Sequence, residues 1–169
     1  MTKLYLVRHG ETFDNARQIL QGQMQGELNE KGITQAKHVR DELAGVHLDA
    51  IVASDLWRSI QTARIIAEPH GLEVITTPLL RERDWGDFTG KYIPDLSNVA
   101  EWPANVESLQ HLLQRASQLL GFLRENHPGQ SVVAVGHGII NKAIQAVLLG
   151  KKMNEVARMT NAEIRIFNI

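Results

Sequence analysis

The chain has 169 residues, 43% apolar and 22% charged, and its 18 basic residues nearly balance 19 acidic ones for a net charge of -1. That length fits one domain with a real hydrophobic core, and the charge balance argues against a nucleic-acid or anionic-membrane surface, which needs a basic excess. Cysteine is absent, which excludes disulfides, thiolate catalysis and thiolate metal sites. No apolar stretch approaches the roughly 20 residues of a membrane span, and the N-terminal apolar run is too short for a signal peptide. A cytoplasmic protein is the expectation.

In chain order, Leu4–Val7 is a short apolar run that reads as a buried strand. Asn29 can cap a helix whose apolar positions are Ile33, Ala36, Val39 and Leu43, with Gly45 as its stop. Ala50–Ala53 reads as a second strand. A helix from Arg58 to His70 carries Ile60, Ala63, Ile66 and Ala67 on one side and stops at Gly71. Glu73–Thr76 is a weaker third strand. Residues 78–106 have little periodicity and read as loop. Leu109, Leu112, Leu113, Ala116, Leu119, Leu120 and Leu123 then mark the clearest amphipathic helix. Ser131–Val135 is a fourth strand, followed by a helix with Ile140, Ala143, Ile144, Val147 and Leu148 inward and Gly150 as its close. Ala162–Ile166 alternates and reads as an edge strand.

Strands alternating with helices imply an α/β three-layer sandwich: a mostly parallel sheet with helices on both faces, in a single domain covering 1–169. In such sheets ligands sit beyond the carboxyl ends of the strands. The segments there are Arg8-His9-Gly10, Ser54-Asp55-Leu56-Trp57-Arg58 and Gly136-His137-Gly138, so two histidines and two arginines should converge. Each alone has a bland reading, since a single histidine after a strand is usually a satisfied, partly buried residue. Together they suit phosphate. Arginine forks bind phosphate oxygens bidentately, an imidazole can attack phosphorus and hold the phosphoryl group, and guanidinium charge keeps that imidazole neutral. The other histidines lack metal-site spacing, and the glycines form neither a Walker loop nor a dinucleotide fingerprint. No metal and no cofactor are expected.

The segment Leu6-Val7-Arg8-His9-Gly10-Glu11-Thr12 resembles the signature of the histidine phosphatase superfamily, in its phosphoglycerate mutase-like branch. Asn15, Gln21-Gly22, the block from Leu28 to Ala36, Ser54-Asp55-Leu56-Trp57-Arg58-Ser59, Leu80-Arg81-Glu82-Arg83, Val135-Gly136-His137-Gly138 and Asn161 follow in the family's order. The resemblance implies a phosphomonoesterase on a small phosphorylated metabolite. His9 would be the nucleophile. Arg8, Arg58, His137 and Gly138 would form the phosphate pocket, Glu82 would be the acid and base, and Asn15, Gln21 and Gly22 would touch phosphate or substrate. The chain departs from the family pattern at Gln25, often Asp, and at Pro103-Ala104-Asn105-Val106-Glu107-Ser108, often Pro-Gly-Gly-Glu-Ser. The segment at about 91–106 is short where relatives carry a longer helical lid. Its core, 92–102, holds no Lys or Arg, which favours hydrolysis over a phosphoglycerate mutase. The same residues would also suit a phosphohistidine protein phosphatase or a phospho-ligand binding module. The expected partner is a small phosphorylated substrate, not nucleic acid or membrane, and the chain would be a monomer or homodimer.

Overall fold

A computed structural model describes residues 1–169. Five strands, β1 (Lys3–Arg8), β2 (Ala50–Ala53), β3 (Val74–Thr76), β4 (Ser131–Gly136) and β5 (Ile164–Asn168), form one sheet in the order β3-β2-β4-β1-β5. All neighbours are parallel except β5, which runs antiparallel to β1 at the edge. Alternate residues of the central strands point to opposite faces. Leu4, Leu6, Val132 and Ala134 join one core with helices α4 (Leu109–Asn126) and α5 (Gly138–Leu149). Tyr5, Val7, Val133 and Val135 join the other with α2 (Glu30–Leu43) and α3 (Trp57–Ala67). Strands covered on both faces lose their polar alternation, which is why they read as unbroken apolar runs. A four-residue helix, α1 (Phe13–Ala16), follows β1.

The expected Asn29 cap holds, and the structure adds a second cap at Ser108. Asn29 Oδ1 accepts from Gly32 N at 2.8 Å, and Ser108 Oγ accepts from His111 N at 3.1 Å, so both helices are capped by their own side chains. Gly71 and Gly150 take positive φ at the ends of their helices. The last three residues of the expected Arg58–His70 helix, 68–70, tighten into a 3-10 turn. Residues 78–106 hold only short 3-10 turns.

Two readings need correction. Val147 is 37% exposed rather than inward. It lies on the stripe of Ile140 and Ala143 but in the last turn of α5, and the polar Asn141 and Gln145 are buried in its stead. The final strand begins at Ile164, not Ala162, because Ala162 has φ 59° and turns the chain into the strand.

Gly10 and Gly32 are required by a close approach. A β-carbon on Gly10 would lie 2.4 Å from Gly32 O, and one on Gly32 would lie 2.0 Å from Glu11 O. The loop after β1 is thus pressed against the first turn of α2. In an unhindered helix Gly→Ala gains about 1 kcal/mol. Gly32→Ala is expected to lower the melting temperature and activity together, because Glu11 and its neighbours must retreat. A rise in melting temperature would show that the contact is loose.

Candidate active site

β1 and β4 are adjacent, parallel and paired Arg8 to Gly136, so the next residues, His9 and His137, emerge side by side. Their ring centroids lie 5.0 Å apart, and both are buried. Their hydrogen bonds assign their tautomers. His9 Nδ1 faces the Gly10 carbonyl at 2.7 Å. A carbonyl only accepts, so Nδ1 carries the proton and the Nε2 lone pair is free. His137 has the opposite tautomer. Its Nδ1 accepts from Arg58 Nε at 3.1 Å, and Nε2–H faces Ser54 Oγ at 2.6 Å and Ser59 Oγ at 3.1 Å. Burial first, and then the charges of Arg58 and Arg8, push the His9 pKa well below 6.5. His137 is lowered likewise, by burial and then by Arg58. The sequence pointed to the arginine charge; the larger cause is desolvation.

The arginines are as deeply placed. Arg58 is 1% exposed. Besides His137 it donates from Nη2 to Gly22 O at 2.7 Å and from Nη1 to Met24 O and Gln25 O. It therefore braces the 22–25 loop, so its removal would harm the fold as well as the site. Gln25 Oε1 accepts from Trp57 N at 2.9 Å, so a neutral side chain caps α3 at this departure from the family pattern. Arg8 donates from Nη1 to Met159 O at 2.7 Å, while its Nε is buried without a partner. Burial lowers the pKa of each guanidinium to about 10, opposed by the Glu82 carboxylate. Both remain charged near neutrality.

Glu82 reaches the same place from the loop. Its carboxylate sits on the N-terminus of α5, accepting from Ile139 N at 3.1 Å and Ile140 N at 3.0 Å, and from Arg83 N at 2.8 Å. These amides are unpaired donors at the helix start, and the side chain satisfies them. Arg115, from α4, holds the loop from behind. It donates to the carbonyls of Leu79, Arg81 and Glu82 and is forked onto Glu107 at 2.8 Å.

The remaining expected residues surround this centre. Asn15 Oδ1 accepts from Thr12 N and from Asn161 Nδ2, which also donates to His9 O. Gln21 is buried against Thr12. Gly22 has φ 52°, and its carbonyl serves Arg58. Gly138 opens α5 between two guanidinium groups, Arg8 and Arg158. Trp85 and Trp102 meet edge-on at 5.5 Å beside Phe88, with Arg83 over Trp85, whereas Trp57 stacks with Arg64.

The sequence did not reveal Arg158. It sits in an irregular stretch, and only the return of that stretch to β1, fixed by Arg8 on Met159 O, brings it near. The 92–102 segment lacks basic residues as expected, but the C-terminal loop supplies a cation to the site.

Buried neutral histidines, buried arginines and a helix-bound carboxylate at the carboxyl edge of a parallel sheet define a phosphoryl-transfer enzyme of the α/β class. The profile of the histidine phosphatase superfamily (branch 1) matches residues 4–169, and the chain belongs to that family. It is 36% identical to "Phosphoserine phosphatase 1" of Hydrogenobacter thermophilus over 92% of this chain and 80% of that one. It is 35% identical to "Probable phosphoglycerate mutase GpmB" of Enterobacter sp. (strain 638) over 89% and 76%. Among solved structures, a mycobacterial glucosyl-3-phosphoglycerate phosphatase in complex with VO3 superposes with a TM-score of 0.89 at 31% identity, over 97% of this chain and 91% of that one. The phosphoserine phosphatase of Entamoeba histolytica in complex with 3-phosphoglyceric acid gives 0.88 at 28% identity, over 99% and 91%. The chain is thus an enzyme of the histidine phosphatase kind. No helix is long and apolar enough to cross a membrane.

The two buried imidazoles tie stability to pH. Above about 6.5 neither folded nor unfolded chain protonates them, and their contribution is constant. As pH falls below 6.5 the unfolded chain takes up two protons that the fold refuses, so stability declines. Urea titrations should give a lower midpoint at pH 5.5 than at pH 7.5. Equal midpoints would mean that the rings are charged in the fold.

Proposed function

We propose that this chain hydrolyses phosphate monoesters of small metabolites through a phosphohistidine at His9. The observation that carries the reading is the hydrogen bond from His9 Nδ1 to Gly10 O, which forces the lone pair onto Nε2. Glu82 enters the step as the carboxylic acid, having taken the proton of the monoanionic ester as it binds. The Nε2 pair attacks phosphorus, the P–N bond forms as the ester P–O bond breaks, and the leaving oxygen takes that proton from Glu82. Water then gives that proton back to Glu82 while its oxygen attacks phosphorus, releasing phosphate and restoring the neutral imidazole. Glu82 Oε2 accepts one amide against three on Oε1, which leaves it a lone pair for the transferred proton. Arg8, whose Nε is unpartnered, and Arg58 offset the phosphoryl charge. His137 orients Arg58. Asn15, Gln21, Gly22 and Gly138 line the pocket.

The segment at about 91–106 is a short lid on this reading. Gly90 N donates to Leu20 O, Leu20 N to Lys91 O and Ile93 N to Gln18 O, while Asn105 is locked onto Asp87 at the far end. Phosphoserine phosphatase and glucosyl-3-phosphoglycerate phosphatase among the similar proteins support hydrolysis of a phosphorylated metabolite. A mutase must shield its phosphoenzyme from water, and a lid this small favours hydrolysis. With 3-phosphoglycerate and its bisphosphate primer, phosphate release should outrun isomerisation, and the opposite order would make the chain a mutase.

Acid-quenching defeats detection of a phosphohistidine, so the enzyme should be denatured in alkali after reaction with labelled ester. Label should be retained by native protein and absent from His9→Ala, with phosphate release reduced at least about a thousandfold. Retained label would move the nucleophile elsewhere. Turnover should also survive exhaustive chelation, because beside two guanidinium cations the site offers a metal only the His9 Nε2 lone pair and a Glu82 carboxylate already engaged by the α5 amides. Activity restored to chelated enzyme by one divalent ion would overturn the mechanism.

A further inference from the structure

Beside the phosphate pocket lies a cleft of about 480 Å³. Arg8 forms its inner wall, and Arg158, Asn15, Gln18 and Ile93 stand around it. Arg158 and Arg8 flank one point: a β-carbon on Gly138 would lie 3.3 Å from Arg158 Nε and 3.6 Å from Arg8 Cζ. The Arg158 carbonyl accepts from Arg165, but its guanidinium makes no hydrogen bond or ion pair with the protein. The acid in the cleft, Glu11, is already committed to Asn29 Nδ2 at 3.0 Å and Lys31 at 3.5 Å. Asn15 spends its oxygen on Thr12 and Asn161, which leaves its amide N–H groups to donate. Gln18 is held at φ 57°, a conformation that non-glycine residues adopt at a cost and that concentrates at functional sites.

We propose that Arg158, with Asn15 and Gln18, forms a second anion site that grips a carboxylate on the substrate's carbon skeleton, close to its phosphoryl group. This deepens the proposed function and rests on its placement of phosphate at His9. A planar monoanion matches one guanidinium fork. A second phosphate would bring up to two negative charges to a cleft with one cation beyond the phosphoryl-binding Arg8 and with Glu11 in its wall. Arg158 is then a specificity-determining residue, and the substrate class is the phosphorylated hydroxy or amino acid.

The test compares 3-phosphoglycerate with glycerol 3-phosphate, which differ only in carboxylate against hydroxymethyl. Arg158→Gln should lower kcat/KM for 3-phosphoglycerate about 10- to 100-fold, chiefly through KM, and change glycerol 3-phosphate by no more than about threefold. Arg158→Lys should recover part of the loss. Equal losses on both esters would assign Arg158 to the phosphoryl group, and no loss would remove it from the site; either overturns the proposal. Calorimetric binding of 3-phosphoglycerate to His9→Ala protein, with and without Arg158→Gln, gives a readout that needs no turnover. If the native chain released phosphate from neither ester, the hydrolase reading would fail. Weaker binding in the Arg158 variant would then still support the anion site, and unchanged binding would overturn it. A greater binding loss for 2,3-bisphosphoglycerate than for 3-phosphoglycerate would reassign the cleft to phosphate and overturn the carboxylate proposal.

Discussion

The in-register parallel pairing of β1 with β4, Arg8 opposite Gly136, sets two histidines from distant parts of the chain against each other. A slip of one residue would reverse every side chain on a strand. Here it would also turn a histidine away from the site. Both strands bury both faces in tightly packed cores, so the same packing that stabilises the sheet forbids the slip. Precision at the two histidines is inherited from the core.

That placement leaves polar groups in a dry setting, where each must be satisfied. The molecule does this by giving most of these buried polar atoms a specific partner. Arg58 spends its donors on His137 and on the 22–25 loop, so a buried cation is held without a carboxylate salt bridge. Glu82 is held by the amides that open α5. Arg115 and Glu107, forked together, carry the loop that bears Glu82. Arg8 Nε is left unpaired, as are Asn141 Oδ1 and His70 Nε2, and an unpaired buried donor on Arg8 is what an incoming anion would satisfy.

Much of this was legible in the sequence because the signals are local. Apolar runs gave the strands, apolar periodicity gave the helices, Asn29 marked the start of one of them, and the rule that ligands lie beyond strand ends gathered Arg8, His9, Arg58 and His137. Glu82 lay outside that reasoning: a carboxylate in a loop looks solvated, and it was reached only through resemblance to the family. Arg158 was invisible for a related reason. Its role depends on where an irregular loop returns, which composition and periodicity do not encode. The tautomers of the two histidines were equally hidden, since they follow from a carbonyl and a guanidinium whose positions arise only on folding. Ala162 shows the limit at the backbone level, because alternation extended the last strand across a residue that turns with positive φ.

The 91–106 segment is pinned at both ends, by backbone pairing to residues 18–20 and by Asn105 on Asp87, while its middle is exposed and touches neither core. Its anchors, not its length, join it to the rest of the molecule. Insertions between the anchors would change neither the sheet register nor the loop that carries Glu82, and loop length itself costs little, about 0.6 kcal/mol per doubling. The fold therefore tolerates added chain between these anchors at little cost, and on the lid reading a small architectural change there would retune which molecules enter while the chemistry stays untouched.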